Sequence, residues 1–456
     1  MKIILLSGGS GKRLWPLSND LRSKQFLKVL SGTRGEPESM VQRIWKQLTE
    51  ASLDKSVFIT TGRAQVDMVH SQLSGHVPII VEPERRDTFP AIALASVYLY
   101  SIANVDLNET VVVLPVDSYV DNCFFETVKG LDRILETSEA DIALVGAKPT
   151  YPSEKYGYII PHAERECGES FQRVAFFKEK PQEDQAQQYI EQGALWNCGV
   201  FAFKLNYLIQ MLIEKRVSIQ YDELSKQYEN LSKISFDYEV TEKAKHVVVA
   251  SYEGDWKDLG TWNTLTEHMG SAITGHGFIS HDSVGTHLVN ELDIPVAVLG
   301  LSHIVVAASP DGILVTEKAA SPRLKEFIQH IDQRPMYEER RWGSYRVLDY
   351  QKCNDKHEVL TKRIRIHSGK NSSYHYHLHH DEFWTILSGS GEVIIQDQLQ
   401  HVKAGDVLKI PSGTLHSIRA IEHIELIEVQ SGTSVTEEDT VRLTLHWAEM
   451  VQSVVY

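Results

Sequence analysis

The chain begins with a short apolar run, "KIILLSG", that stops at glycine. Runs of the same kind recur in "SVFITTG", "VPIIVEP", "TVVVLPVD" and "DIALVGA". Unbroken apolar stretches of about 4–8 residues, bounded by turn residues, read as strands covered on both faces. Between them lie helix-length segments at roughly 38–53 and 90–102. Strands alternating with helices predict an α/β fold with a doubly wound, mixed but mostly parallel sheet. Ligands of such sheets bind beyond the carboxyl ends of the strands. The chemically informative residues sit there, after "ILL", "IIV" and "VVVLP".

The rhythm then changes twice. From roughly 275 to 315 come short apolar bursts, "VAVLGLSHIVVAASPDGILVTE", which predict a small β-rich connector, followed by a helix over roughly 321–333. After the charged stretch "RPMYEERRWGSY", strand-sized pieces return at regular spacing: "EVLTKRIRIHSG", "FWTILSGSGEVIIQDQ", "VLKIPSG", "IELIEVQSG". That pattern predicts an all-β barrel. The expected units are residues 1–270, 271–335 and 336–456, a division that suits a chain of 456 residues.

Charge and cysteine usage narrow the function classes. A formal net charge of −15 argues against non-specific nucleic-acid binding and against an anionic membrane surface. No apolar run reaches the roughly 18 residues of a membrane span, and "MKIILLSGGSGKRLW" is too short in its apolar part to be an export signal. Cys123, Cys167, Cys198 and Cys353 are scattered and read as free thiols. A cytoplasmic location is expected.

Two segments carry candidate chemistry. In "LSGGSGKRLWPL", Gly8, Gly9 and Gly11 follow a strand and precede Lys12 and Arg13. Glycines let backbone N–H groups turn toward an anion, and the two cations add charge at a polyphosphate. The run is neither a Walker loop nor a dinucleotide fingerprint. Far away, "SYHYHLHHDEFW" holds His375 and His377, which alternate along a strand and share one face.

The segment "LSGGSGKRLWPLSNDLRSKQFL" resembles the signature G-G-x-G-x-R-L-x-P-L, then K-Q, of the sugar-phosphate nucleotidyltransferases, and among them the mannose-1-phosphate guanylyltransferases. "EPERRDTFPAIALAS", "LPVDSYV", "KYGYI", "FKEKP", "WNCGVFAF" and "WKDLGTW" resemble further family segments in the family's order, over most of 1–265. The resemblance implies attack of mannose 1-phosphate on the α-phosphorus of GTP, giving GDP-mannose and pyrophosphate with Mg²⁺ at Asp117 and Asp258. Another nucleotide or sugar 1-phosphate is the variant within the class. It implies Arg13 and Lys24 at the leaving pyrophosphate. Leu6, Gly8, Gly9, Gly11, Lys12, Arg13, Glu82 and Arg85 would bind the nucleotide. Gly157, Tyr158, Glu179, Lys180 and Asn197 would bind the sugar phosphate. A homo-oligomer, as a dimer, is the family's implication. Asp87 departs from the family's Asn and cannot donate as an amide does. Ser118 departs from its usual His.

Around the histidines, Gly369, His375, His377, Glu382 and Gly389, then Gly405, Pro411, Gly413 and His416, resemble the two cupin motifs. His375, His377, Glu382 and His416 would then ligate Zn, Mn, Fe, Co or Ni. His379 and His380 fall outside that spacing and are expected on a bend. "RRWGSY", "IEVQSG" and "EEDTVR" resemble the cupin of bifunctional members that also isomerise mannose 6-phosphate. Against that activity, His375, His380 and Phe383 replace the family's Gln, Arg and His, and "VRLTLHWAEM" loses its tail. Arg442 is kept, and Lys362, Arg363 and Arg365 are further phosphate candidates. A non-catalytic module for assembly or ligand sensing is the alternative use of the barrel.

Overall fold

The structure is a computed structural model and describes the chain apart from residues 10, 33, 74–76, 163–169, 329, 332, 355, 356 and 456. Cys123, Cys198 and Cys353 are free thiols, and Cys167 lies outside the described residues.

A nine-stranded sheet organises the first half. Lys2–Leu6 lies between Val57–Gly62 and Thr110–Pro115, parallel to both. Ile79–Glu82 extends one edge in parallel. Ile142–Ala147 and Val247–Tyr252 form another parallel pair. Leu195–Lys204 runs antiparallel between these groups, and Gln172–Glu179 runs antiparallel farther out. Gly157–Pro161 completes the sheet. Most strands therefore point one way.

Both faces of the sheet are covered. Ile3 and Leu5 pack one way, with Val41, Ile44 and Leu48 of helix Met40–Glu50 and Val128 and Leu131 of helix Phe124–Ser138. Ile4 points the other way, toward helices Thr88–Ser101 and Leu205–Glu214. The period of two along each strand produces this split. Ser39 starts the Met40–Glu50 helix with a reciprocal capping box, accepting from Gln42 N while Gln42 accepts from its N–H. Asp87 accepts from Thr88 N at 2.8 Å and caps the Thr88–Ser101 helix. The departure from Asn thus falls on a residue that uses an acceptor, at a helix end that favours negative charge.

The connector is a coil of short parallel strands. Ile273–Gly275, His287–Asn290 and Ile304–Ser309 stack in one sheet, Gly277–Ile279 and Val296–Val298 in a second. Val289, Val305 and Ala307 pack on Leu14, Leu17 and Trp262, so the connector backs the segment after the glycine turn. The helix expected over 321–333 is shorter: a 3-10 turn Ser321–Arg323 and then Leu324–Ile328. Leu324 and Ile328 reach that core, whereas Ile331 is exposed, so packing supports one turn only.

The C-terminal part is two antiparallel sheets of six and five strands, closed over Ile366, Trp384, Ile386, Val393, Ile410 and Ile418. It joins the first half through Glu339, which accepts from Ser71 Oγ at 2.8 Å and pairs with Lys28 at 3.5 Å.

Candidate functional site

The turn after Lys2–Leu6 is folded back on itself. Gly9 O accepts from Ser23 Oγ at 2.8 Å and Gly11 O from Ser18 Oγ at 2.5 Å. With these carbonyls tied inward, the N–H edge of the loop is the side an anion would meet. Gly11 has φ 58°, and a Cβ there would collide with the Lys24 backbone N. Gly11→Ala is therefore expected to lower stability by about 1–2 kcal/mol from the left-handed backbone alone, with Lys24 displaced as well. Denaturant unfolding checks this, and an unchanged midpoint would refute the need for glycine.

Lys12 and Arg85, far apart in sequence, meet at one carboxylate. Asp20 Oδ2 lies 2.6 Å from Lys12 Nζ, and its Oδ1 lies 2.8 Å from Arg85 Nη1. The sequence reading missed Asp20, an ordinary acid in a polar loop.

Glu82, at the end of Ile79–Glu82, is buried and accepts from Tyr228 Oη at 3.1 Å. Gly8 passes so close that a Cβ there would stand 3.0 Å from Glu82 Oε1. Burial pushes the Glu82 carboxyl up to about 7, against the opposing effects of Tyr228 and Arg85. A raised carboxyl pKa contributes stability that is complete below its ordinary value of 4.5 and is lost as pH rises toward 7. Glu82→Gln should remove this component and gain up to about 3 kcal/mol at pH 8 relative to pH 4. Unfolding titrations of both proteins at each pH test it, and a pH-independent difference would contradict the assignment.

Asp117 and Asp258 converge through a two-stranded ribbon. Ser118–Tyr119 pairs antiparallel with Lys257–Asp258, placing Ser118 opposite Asp258. Lys24 Nζ lies 2.6 Å from Asp117 Oδ2 and 3.5 Å from Asp258 Oδ1. Burial disfavours the charge on Lys24, but the two carboxylates outweigh it and hold its pKa above the usual lysine range. Burial likewise opposes the charge on Asp117, and Lys24 outweighs it, so its pKa falls. Two hard oxygens aimed at one cation fit Mg²⁺, with the Lys24 ammonium standing at that focus. Arg13 lies exposed on the short 3-10 turn after Gly11.

A second group forms across the sheet end. Gly157 lies opposite Glu179 in the ladder. Glu179 Oε1 pairs with Lys180 Nζ at 2.5 Å, and Lys180 sits at φ 47°. Asn197 Nδ2 donates to Asp237 Oδ1 at 2.7 Å, while its Oδ1 accepts from Gly199 N at 3.0 Å. Burial, with Glu179 close by, pushes Asp237 up to about 7. Asp237 went unnoticed in the sequence because it lies on a short polar helix, Phe236–Glu239, whose burial is tertiary.

Tyr158 is the correction within this group. Its ring is fully buried in the core, and its hydroxyl accepts from Ser153 N at 2.8 Å. The strand alternation turns the side chain of 158 inward, to the face opposite the one where Gly157 meets the Glu179 carboxylate. Tyr156, two residues earlier, lies beside Trp196 and Trp256, with ring centroids 4.9 and 5.3 Å away. Its phenol pKa is raised by burial and by the nearby Asp258 charge, and its carbonyl accepts from Lys180 N at 3.2 Å. Leu6 ends its strand partly buried, packed on the sheet's second core face.

The barrel brings its histidines to one centre. His375 lies opposite His416 across the ladder. His375 Nδ1 bonds Ser373 O at 2.8 Å and His416 Nδ1 bonds Thr414 O at 2.9 Å, which fixes both rings with Nε2 inward. Glu382 Oε1 lies 2.9 Å from His377 Nε2, and its Oε2 lies 3.2 Å from His416 Nε2. The ring nitrogens available from His375, His377 and His416 fall within 4.8 Å of one another. The Nε2 atoms of His377 and His416 are buried and meet the one carboxylate of Glu382. Buried imidazoles converging on one carboxylate fit a divalent transition metal.

His380 corrects the sequence reading. It is not on a bend but opens the strand His380–Ser388, 3% exposed, stacked on His377 with centroids 4.2 Å apart. Its Nε2 is 3.7 Å from Glu382 Oε1, and its Nδ1 is 3.0 Å from Asp439 Oδ2. Phe383 faces outward under Lys409, so its replacement of a family histidine takes nothing from the centre. Lys362 points inward, 3.4 Å from Glu428 Oε1. Burial, with Glu382 nearby, raises Glu428 to about 7. Arg363 and Arg365, one residue to either side of an inward Ile364, face away from the histidines.

The nucleotidyl transferase family model matches residues 2–273, and the mannose-6-phosphate isomerase C-terminal model matches 329–444. A putative mannose-1-phosphate guanylyltransferase of Vibrio cholerae serotype O1 is 31% identical over 96% of this chain and 98% of its own. The xanthan biosynthesis protein XanB of Xanthomonas campestris pv. campestris is 31% identical over 96% of this chain and 97% of its own. Among solved structures, a Thermus thermophilus protein described as a mannose-1-phosphate geranyltransferase aligns with TM-score 0.59 and 29% identity, over 72% of this chain and 98% of that one.

Proposed function

The chain belongs to the nucleotidyl transferase family, and from that premise we propose that it is a mannose-1-phosphate guanylyltransferase serving polysaccharide biosynthesis. The observation that carries this is the convergence of Asp117 and Asp258 on Lys24 Nζ, with the Glu179–Lys180 and Asn197–Asp237 pairs as a second charged group. The working units are residues 1–270 for transfer, 271–335 as backing, and 336–456 as the cupin, a division supported by the spans of the two family models.

A 1-phosphate oxygen attacks the α-phosphorus of GTP, the bond to the bridging oxygen breaks, and pyrophosphate leaves with that electron pair. Catalysis here is positioning and charge neutralisation. Asp117 and Asp258 would hold Mg²⁺, which supplies positive charge at the reacting phosphates when bound. The loop at Gly8, Gly9 and Gly11, with Lys12 and Arg13, receives the polyphosphate. Lys24, released from the two aspartates, follows the leaving pyrophosphate. Lys180 meets the sugar phosphate, and Glu179, Asn197 and Asp237 take sugar hydroxyls. Substrates of this kind suit a cytoplasmic enzyme, which family membership suggests acts as a dimer.

The test is a nucleotide-by-sugar panel read by pyrophosphate release. The reading expects GTP with mannose 1-phosphate to be used best, with strict dependence on Mg²⁺. No release from that pair would overturn it.

A second reading, isomerisation of mannose 6-phosphate in the barrel, is favoured by one observation: the buried Glu428 lies 3.4 Å from Lys362 Nζ and shares the Trp384 Nε1 and Gln430 Nε2 donors with Glu382 of the histidine centre. Such a group is poised for proton transfer. Conversion of mannose 6-phosphate to fructose 6-phosphate, lost in Glu428→Gln, is its expected result; no conversion by the metal-loaded protein would reject it.

A further inference from the structure

The first half, the connector and the barrel meet around a hollow of about 260 Å³ that no part of the transferase reading uses. Arg22 enters from the first half, Glu291 and Asp293 from the connector, and Arg346, Arg363 and Arg365 from the barrel. Four arginines against two acids make a net positive hollow in a chain whose formal net charge is −15.

The arrangement of the arginines is unfavourable by itself. Arg346 and Arg363 are directly opposite each other across the antiparallel ladder, and Ser344 stands opposite Arg365. Like charges facing across a ladder are destabilising. The available counter-charges are already shared. Asp293 holds Arg346 at 2.8 Å, and Glu291 is gripped by both terminal nitrogens of Arg22 at 2.8 and 2.9 Å. Arg363 and Arg365 both lean on Glu425, at 3.8 and 3.2 Å. The buried Arg363 Nε has no hydrogen-bond partner among the described residues. An anion entering between these forks would meet donors in the planar geometry that suits phosphate.

We infer that this hollow is a binding site for a phosphorylated small metabolite of hexose-phosphate size, and that its occupancy acts on the transferase centre through Arg22. The size follows from the volume, which lies just under the roughly 300–1,000 Å³ of pockets that take drug-sized ligands and so admits a smaller, single-ring metabolite. The hydroxyls of Tyr337 and Ser344 add groups for sugar oxygens. The route is short. Arg22 lies two residues before Lys24, in the segment whose Asn19 Nδ2 donates to Asp311 Oδ2 at 2.7 Å and whose Pro16 O accepts from Ser309 Oγ at 2.7 Å.

Calorimetric titration of the full chain with glucose 6-phosphate, and separately with inorganic phosphate, tests this in the wild type and in Arg363→Gln/Arg365→Gln. The wild type should bind glucose 6-phosphate saturably and more tightly than phosphate, and the double variant at least tenfold more weakly. Without ligand, Arg363→Gln should melt at the same or a higher temperature, since a like-charge pair is relieved. Equal binding in both proteins, no binding of either probe to the wild type, or a lower ligand-free melting temperature would overturn the proposal. A separate arm measures pyrophosphate release: saturating glucose 6-phosphate should change the wild-type rate at least twofold and leave the double variant unaffected. Only this arm rests on the transferase reading, so a silent transferase leaves the binding result decisive on its own.

Discussion

Asp117→Asn is expected to reduce pyrophosphate release from GTP and mannose 1-phosphate by about a thousandfold, a loss of roughly 4 kcal/mol of transition-state stabilisation. The argument rests on geometry. Asp117 and Asp258 aim one oxygen each at a single cationic position, occupied by Lys24 Nζ. An amide keeps the shape of the side chain and removes the charge, so the focus loses half its negative potential. Folding should survive. Asp117 lies in the turn just after the strand Thr110–Pro115, whose Val111–Leu114 run is fully buried without it, and Asp258 remains to pair Lys24. The variant should therefore unfold close to the wild-type midpoint and bind Mn²⁺, a spectroscopic stand-in for Mg²⁺, at least tenfold more weakly. Turnover within threefold of wild type would remove Asp117 from the machinery.

Glu382→Ala should have the largest effect in the barrel. Glu382 is 2% exposed and accepts from Trp384 Nε1 at 3.0 Å and Gln430 Nε2 at 2.9 Å while facing His377 and His416. Burial opposes its charge, but the surrounding imidazoles outweigh that and hold its pKa well below the carboxylate range. Removing one member of such a buried network costs about 3–5 kcal/mol. The wild type is expected to retain a divalent metal in the barrel and the purified variant to lose most of it, measured by elemental analysis. The barrel should melt earlier, and GTP-dependent pyrophosphate release should remain near normal, because Asp117 and Lys24 lie in the other half. Unchanged metal content would exclude Glu382 as a ligand.

Much of this was legible in the order of residues. Strands such as Ile142–Ala147 announce themselves by unbroken apolar runs, since both faces must be covered. His375 and His377 could be assigned to one face because strand geometry repeats every two residues. His380 could not, because the chain bends at Leu378–His379 and re-enters as a new strand, which resets the alternation. Tyr158 misled because the motif names a segment and not the side chain's surroundings: Tyr158, in the strand, is buried in the core, whereas Tyr156, on the bend before it, packs beside Trp196 and Trp256. Asp20 and Asp237 carry no local signal at all, and their meaning arises only from the cations or carboxylates brought beside them.

By itself the sequence determined the α/β and all-β halves, the glycine-rich turn after the first strand, and the histidine strand, because each depends on periodicity or on residue types close together in the chain. Only the tertiary structure decided which charges face one another. A two-residue ribbon joins Asp117 to Asp258 across the chain and sets Lys24 between them. The packing of three parts sets Arg22 near Arg363. Burial, which no local pattern records, moves Glu82, Asp237 and Glu428 toward neutral pH. Electrostatic energy depends on distance through space and on exclusion of water, and both are properties of the fold.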